Sequence, residues 1–168
     1  MVCPDTQISA VLDALRRAHP YEEPAIDIIT LLPQPQPNTG AGRVVKLEKS
    51  KSLKQLAELA RTHLGVDGLA IADADGAPKK HKVMAACPGS GAELIPEATA
   101  AGATVFLTGE MKHHEQLGAL RNGMSLILAG HTNTERGVFK PWTKVLQEAF
   151  PTIKIMRSRR DRHPLRWI

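Results

Sequence analysis

Aromatic side chains make up only 4% of this 168-residue chain, so the core has to be aliphatic and alanine-rich. Cysteine is nearly absent. Cys3 and Cys87 stand far apart and form no CxxC motif, which points to a reduced cytosolic setting with Cys87 buried in a strand. No apolar run approaches the ~20 residues of a membrane span. Residues 1–20 lack the charged-then-apolar order of a signal peptide. Repeats and low-complexity tracts are missing too. What remains is an ordinary globular composition, 42% hydrophobic, on a chain long enough to bury a sizeable core in one domain or one and a half.

A net charge of +5 and a pI near 9.4 invite a nucleic-acid reading, but the distribution of charge argues against it. Residues 157–168 hold five arginines and one aspartate, leaving 17 basic and 16 acidic residues elsewhere. The basicity is a feature of the tail. Arg157, Arg159, Arg160 and Arg162 are able to touch phosphates, but no stacking aromatic lies among them. A solvated terminus without specific nucleic-acid binding is the expectation.

Along the chain, Val11, Leu12 and Leu15 have helical spacing after Ser9, a candidate N-cap, and Pro20 closes that helix. Ala25–Leu32 is rich in β-formers and reads as a strand. Pro33, Pro35 and Pro37 with Asn38-Thr39-Gly40 make a stiff loop. Val44–Leu47 reads as a short strand. Ser52 opens a helix with Leu53, Leu56, Leu59 and Ala60 on one face, ending near Gly65. Leu69–Ala72 and Lys82–Cys87 read as strands flanking a turn at Asp75-Gly76. After Gly89-Ser90-Gly91 comes a helix over Glu93–Ala101, then two β-α units and a final strand, Thr152–Met156. Alternating strands and helices predict an α/β three-layer sandwich with a mainly parallel sheet.

The two β-α units carry the chemistry. Met124–Leu128 is an apolar strand followed by Ala129-Gly130-His131-Thr132-Asn133-Thr134-Glu135-Arg136-Gly137. His131 and Glu135 sit at i and i+4 where the strand hands over to a helix, so both heads lie on one face. Imidazole and carboxylate are good ligands for borderline divalent metals, and strand ends of open α/β sheets are where ligands bind. The alternative is that His131 caps the turn and Glu135 pairs with Arg136 or water. In the preceding unit, Thr104–Leu107 ends in Thr108-Gly109-Glu110-Met111-Lys112-His113-His114-Glu115, which again opens a helix with metal-competent groups. Pro88–Gly91 is a glycine loop whose amides suit an anion, or a tight turn without ligand.

Taken in order, TGEMKHHE and ILAGHTNTERG resemble the C-terminal part of the Nif-three-like dinuclear metal-centre family, some members of which are labelled GTP cyclohydrolase I type 2. His19-Pro20-Tyr21-Glu22-Glu23-Pro24 resembles the HPYEEP signature of that family's inserted domain, and VMAACPGSG at 83–91 resembles its strand-plus-glycine segment. The resemblance implies a remnant of a ferredoxin-like inserted domain over 1–39 and a C-terminal α/β metal-site domain over 40–168. In that reading Met1–Pro4 is the tail of a strand. It also implies two divalent ions in the intact protein (zinc, manganese or iron), with His131 and Glu135 as metal ligands. The family pattern has His114 facing the cavity in a catalytic role, with His113 peripheral. Glu110 is the other catalytic candidate, since a carboxylate beside a metal acts as general base or holds a ligand histidine in one tautomer; a structural charge at the start of the helix is its alternative reading. The resemblance makes the glycine loop a border of the metal cavity, where a phosphate or oxyanion fits, and it implies a homo-oligomer. Family members begin with an N-terminal half carrying a His-His pair and an Asp ligand, which have no counterpart here, so a C-terminal fragment or a shortened product is expected.

The leading expectation is therefore a cytoplasmic, dinuclear metal-dependent hydrolase acting on a nucleotide or phosphoester-like small molecule. A non-enzymatic metal-handling or partner-binding protein is the alternative, and a small-molecule sensor a third class. His19, Glu22 and Glu23 read as a shaped turn or, less directly, as metal ligands. His63, His81 and His163 lie in polar contexts and receive no role.

Overall fold

A computed structural model describes residues 2–31, 39–158 and 160. The chain divides into two compact units, Met1–Gln36 and Pro37–Ile168.

In the first unit a 3-10 turn at Asp5–Gln7 leads into α1, Ile8–Ala18. The helix starts one residue before Ser9. Gln7 occupies the N-cap position and makes no side-chain cap. His19 is extended before Pro20, as the proline ring requires of its predecessor. Val11, Leu12 and Leu15 share the half-buried face, yet no residue of α1 is fully buried. The expected strand at Ala25–Leu32 does not form among the described residues. Residues 25–31 run without a ladder, with Ile28 62% and Ile29 78% exposed. Their β-branched side chains favour extended backbone, but a strand needs a partner to take its amides. Val2–Pro4 likewise forms no strand. The proline loop (Pro33, Pro35, Pro37, Asn38) lies outside the described residues.

The second unit is an α/β sandwich. In chain order it contains β1 (Arg43–Lys51), α2 (Leu53–Leu64), β2 (Ala70–Ala72), β3 (His81–Ser90), α3 (Ile95–Ala100), β4 (Val105–Glu110), α4 (His113–Arg121), β5 (Ser125–Leu128), α5 (His131–Glu135) and α6 (Phe139–Ala149). The sheet order is β1-β3-β4-β5-β2. Its centre, β3-β4-β5, is parallel, and β1 and β2 close the two edges antiparallel.

Strand periodicity sorts the core into two layers. Val105 of β4 and Ile127 of β5 pack with Leu53, Leu56 and Ala57 of α2. Phe106, Leu126, Ala85 and Cys87 point to the other face, with Ala98 of α3 and Ala119 of α4. Leu59 of α2 is 54% exposed, and Ala57 takes the inward position expected of it. Both ends of α2 follow their local chemistry. Ser52 and Gln55 form a reciprocal capping box, and Gly65 closes the helix in the left-handed region.

A turn does form at Asp75-Gly76, with the Ala77 amide donating to Ala74 O at 3.1 Å. It does not join a hairpin: β2 pairs with β5 and β3 lies between β1 and β4. The apolar β3 has to be flanked on both sides to satisfy its buried backbone, which the three-residue β2 cannot do for a ten-residue strand. The expected strand at Thr152–Met156 is also absent. The Gln147 side chain instead takes Ile153 O and the Ile155 amide.

Candidate functional site

Because β3, β4 and β5 run parallel, their carboxyl ends emerge together. Gly89, Glu110 and His131 arrive there from three different strand ends. Gly130, at φ +86°, turns the chain off β5 into α5, a conformation that glycine adopts without steric cost. The two strand ends are stitched by the Ala129 amide on Thr108 O at 3.0 Å and the Gly130 amide on Gly109 O at 2.8 Å. A side chain at Gly109 has no space: a Cβ there would lie 2.6 Å from both Gly89 O and His131 Cα.

At the centre stands the His131 imidazole. Its Nδ1 is 3.0 Å from Glu110 Oε1, and its Nε2 is 3.3 Å from Glu135 Oε1, one helical turn on. The hydrogen bond to Glu110, reinforced by the negative charge of Glu135, raises the imidazole pKa above its ordinary value, against a smaller opposing effect of desolvation. Gly89 lies beneath this pair. A Cβ on it would come 2.8 Å from Glu135 Oε1 and 3.2 Å from His131 Nε2.

The donor pair fits a divalent ion in one respect. Two ligand atoms about 2.1 Å from one tetrahedral ion stand roughly 3.4 Å apart, close to the separation of Nε2 and Oε1. Glu110 on Nδ1 completes the usual carboxylate–histidine arrangement behind a metal ligand. Among the described residues no group of three or more His, Cys, Asp or Glu side chains gathers as a cage, and the described residues bring His131 and Glu135 together as a pair of donors. His113 and His114 are exposed at the start of α4, and among the described residues no hydrogen bond or ion pair links His114 to Glu110 or His131. The Thr132 hydroxyl, on the same short helix as both donors, is buried without a partner.

The glycine loop is tied to two threonine side chains. The Gly89 amide donates to Thr134 Oγ1 at 2.8 Å, and the Gly91 amide to Thr108 Oγ1 at 3.1 Å. Both amides are spent on threonine hydroxyls, which removes the physical basis for an oxyanion held by these two groups.

A family profile described as Duf34/NIF3 (NGG1p interacting factor 3) matches residues 6–164. The chain belongs to this family. It is 39% identical over 132 residues to NIF3-like protein 1 of Mus musculus, covering 77% of this chain and 34% of that protein. It is 30% identical over 171 residues to the GTP cyclohydrolase 1 type 2 homolog of Bacillus subtilis, covering 99% of this chain and 45% of that one. The crystal structure of Staphylococcus aureus protein SA1388 superposes with a TM-score of 0.81 at 26% identity, over 97% of this chain and 46% of that one. The chain thus spans less than half the length of these relatives.

Several residues of this NIF3-family chain stand apart from the donor pair. His81, in a polar sequence context, is buried. Its Nδ1 is 2.9 Å from Thr104 Oγ1, and burial lowers its pKa, with Asp73 opposing. Cys87 is buried in β3 as expected, and burial raises its thiol pKa. His63 is exposed. In the HPYEEP turn the Tyr21 amide donates to His19 Nδ1 at 3.1 Å and the two rings meet edge-on, while Glu22 and Glu23 are exposed. Arg157 and Arg160 are exposed. Arg159, Arg162 and His163 lie outside the described residues. Thr108 and Thr134, which hold the glycine loop, escaped the sequence reading; the only signal was a hydroxyl next to each strand-end motif.

Proposed function

We propose that this chain supplies one side of a dinuclear divalent-metal centre in a cytoplasmic, homo-oligomeric hydrolase that acts on a nucleotide or phosphoester-like small molecule. The observation that carries the reading is the 3.3 Å approach of His131 Nε2 and Glu135 Oε1 at the carboxyl end of a parallel sheet. In this reading His131 and Glu135 hold the metal. Glu110 would keep the proton on Nδ1 and so leave the Nε2 lone pair available to an ion. Zinc, manganese or iron bound there would supply a water acidic enough to be hydroxide near neutral pH. His114 lies in the first turn of α4, four residues after the end of β4. It is assigned to proton transfer at the leaving group. The name of the Bacillus relative supports the choice of a nucleotide-like substrate, and the open sheet edges at β1 and β2, which want cover, support the oligomer.

The reading is tested by elemental analysis of the purified protein beside its His131→Ala and Glu135→Gln variants, with a nucleotide and phosphoester panel assayed with and without added metal. Metal lost in both variants and metal-dependent turnover in the parent are expected. Metal content unchanged in both variants would sink the ligand assignment. Metal retained by the parent without turnover on any substrate would favour metal handling over hydrolysis.

A further inference from the structure

We propose that Thr134 is the positioning residue of this site, its hydroxyl clasping the Gly89 peptide to the helix that carries both donors. The inference rests on the metal reading of His131 and Glu135 and adds to it the group that keeps them in place.

Thr134 lies between the two donors in α5, one residue before Glu135. Its Oγ1 does two things at once. It accepts the Gly89 N–H at 2.8 Å and donates to the His131 carbonyl at 2.7 Å. A hydroxyl has one proton to give, and this one is committed to the helix, so the lone pair facing Gly89 is fixed in direction. On its other side Gly89 is gripped through its carbonyl by Thr108 Oγ1 at 3.0 Å. The two threonines differ in what they fasten. Thr108 belongs to the buried centre of β4 and ties the loop to the sheet. Thr134 ties the loop to α5, and among the described residues no other hydrogen bond joins residues 88–91 to that helix.

The clasp matters because of what lies against it. Gly89 has φ +70°, and the space its missing Cβ would fill is bounded by the Glu135 carboxylate and the His131 ring. The glycine is therefore the floor under both donor atoms. α5 is a single short turn of five residues, too short to hold its own orientation by backbone hydrogen bonds alone. Thr134 converts that loose turn and the flexible glycine into one piece, with the spacing of the donors set before an ion arrives. Substitution behind a metal ligand typically costs ten- to a hundredfold in affinity.

The test uses the full chain, Thr134→Val, which keeps the shape and removes the hydroxyl, and Thr134→Ser, which keeps the hydroxyl. Zinc is titrated while the His131 ring resonances are followed by NMR, and the melting temperature is measured without metal. The parent should show a saturable His131 shift, Thr134→Val an affinity weaker by roughly tenfold or more, and Thr134→Ser an affinity near the parent's. Equal affinity in Thr134→Val overturns the proposal, even if that variant melts earlier, because the hydroxyl then serves stability alone. Equal loss in both variants overturns it as well. If zinc leaves His131 unshifted in the parent, it is the metal reading that fails. The clasp is then judged by exchange of the Gly89 amide, which should accelerate in Thr134→Val and not in Thr134→Ser. Unchanged exchange in Thr134→Val overturns it.

Discussion

His131 and His81 show how differently one residue type is used at the two ends of the same sheet. His131 is half-exposed between two carboxylates that favour its charged form, whereas His81 is buried against a threonine hydroxyl that a neutral ring satisfies. The difference was only half legible in the sequence. His131 and Glu135 announce themselves by helical spacing at a strand end. His81 sits in Lys79-Lys80-His81-Lys82 and reads as surface, yet strand alternation turns its ring inward while the lysine on its C-terminal side points out. Thr134 was illegible for another reason: its partner is 45 residues away, and no local pattern encodes that bond. The environment of His81 has a consequence for stability. Its folded pKa is depressed, so the unfolded state binds the proton more readily. The contribution of His81 is fully present above the unfolded value of about 6.5 and is lost as pH falls through the depressed folded pKa. Urea unfolding at pH 5 and pH 7 should show the parent losing more stability in acid than His81→Gln does, since the subtraction cancels the carboxylates common to both. Identical pH dependence in the two proteins would mean that His81 is already solvated in the fold.

At the scale of elements, the helices and central strands were legible because each carries its own punctuation. Ser52 and Gln55 start α2 and Gly65 stops it, and the apolar runs before Thr108 and Ala129 are β4 and β5. What failed was pairing. Ala25–Leu32 has strand composition and no ladder, and the Asp75-Gly76 turn formed without making its flanks neighbours. Composition sets the conformation a segment prefers, while a ladder depends on which backbone lies beside it. The glycines divide in the same way. Gly109 and Gly118 look alike in sequence, but at Gly109 a Cβ would meet fixed backbone from two other segments at 2.6 Å. At Gly118, within α4, nothing stands within 4 Å. Gly109→Ala should destabilise by ~3 kcal/mol or more, as overpacking against rigid neighbours does, and should disturb His131 directly. Gly118→Ala should stabilise by up to ~1 kcal/mol through helix propensity. Thermal or urea unfolding of the pair decides it. A Gly109→Ala protein as stable as the parent would show that the β3, β4 and α5 junction is looser than the 2.6 Å approaches indicate.

For the whole molecule, the apolar surface and the site share one feature: neither is enclosed by the described residues. α6 is amphipathic, yet none of its residues is buried, and Phe139, Trp142 and Val145 lie more than half exposed along it. Among the described residues β1 and β2 end the sheet with no further strand beside them, and the first unit has no fully buried residue. At the site, a catalytic zinc-type ion takes about three protein ligands and two ions share roughly six contacts, while the chain brings His131 and Glu135 together and no third donor among the described residues. The relatives are more than twice as long as the segment they share with this chain. An ion held by two donors would have water in its remaining positions, and water would contribute no chelate advantage. Protons also compete for His131, whose raised pKa makes its free form scarcer as pH falls, so metal affinity should weaken toward acid. Calorimetric titration of the 168-residue chain with zinc or manganese should therefore show weak binding of a single ion, weaker still at pH 6 than at pH 8. Two tightly bound ions per chain would mean that further residues, Glu110 or His114 among them, complete a full dinuclear centre.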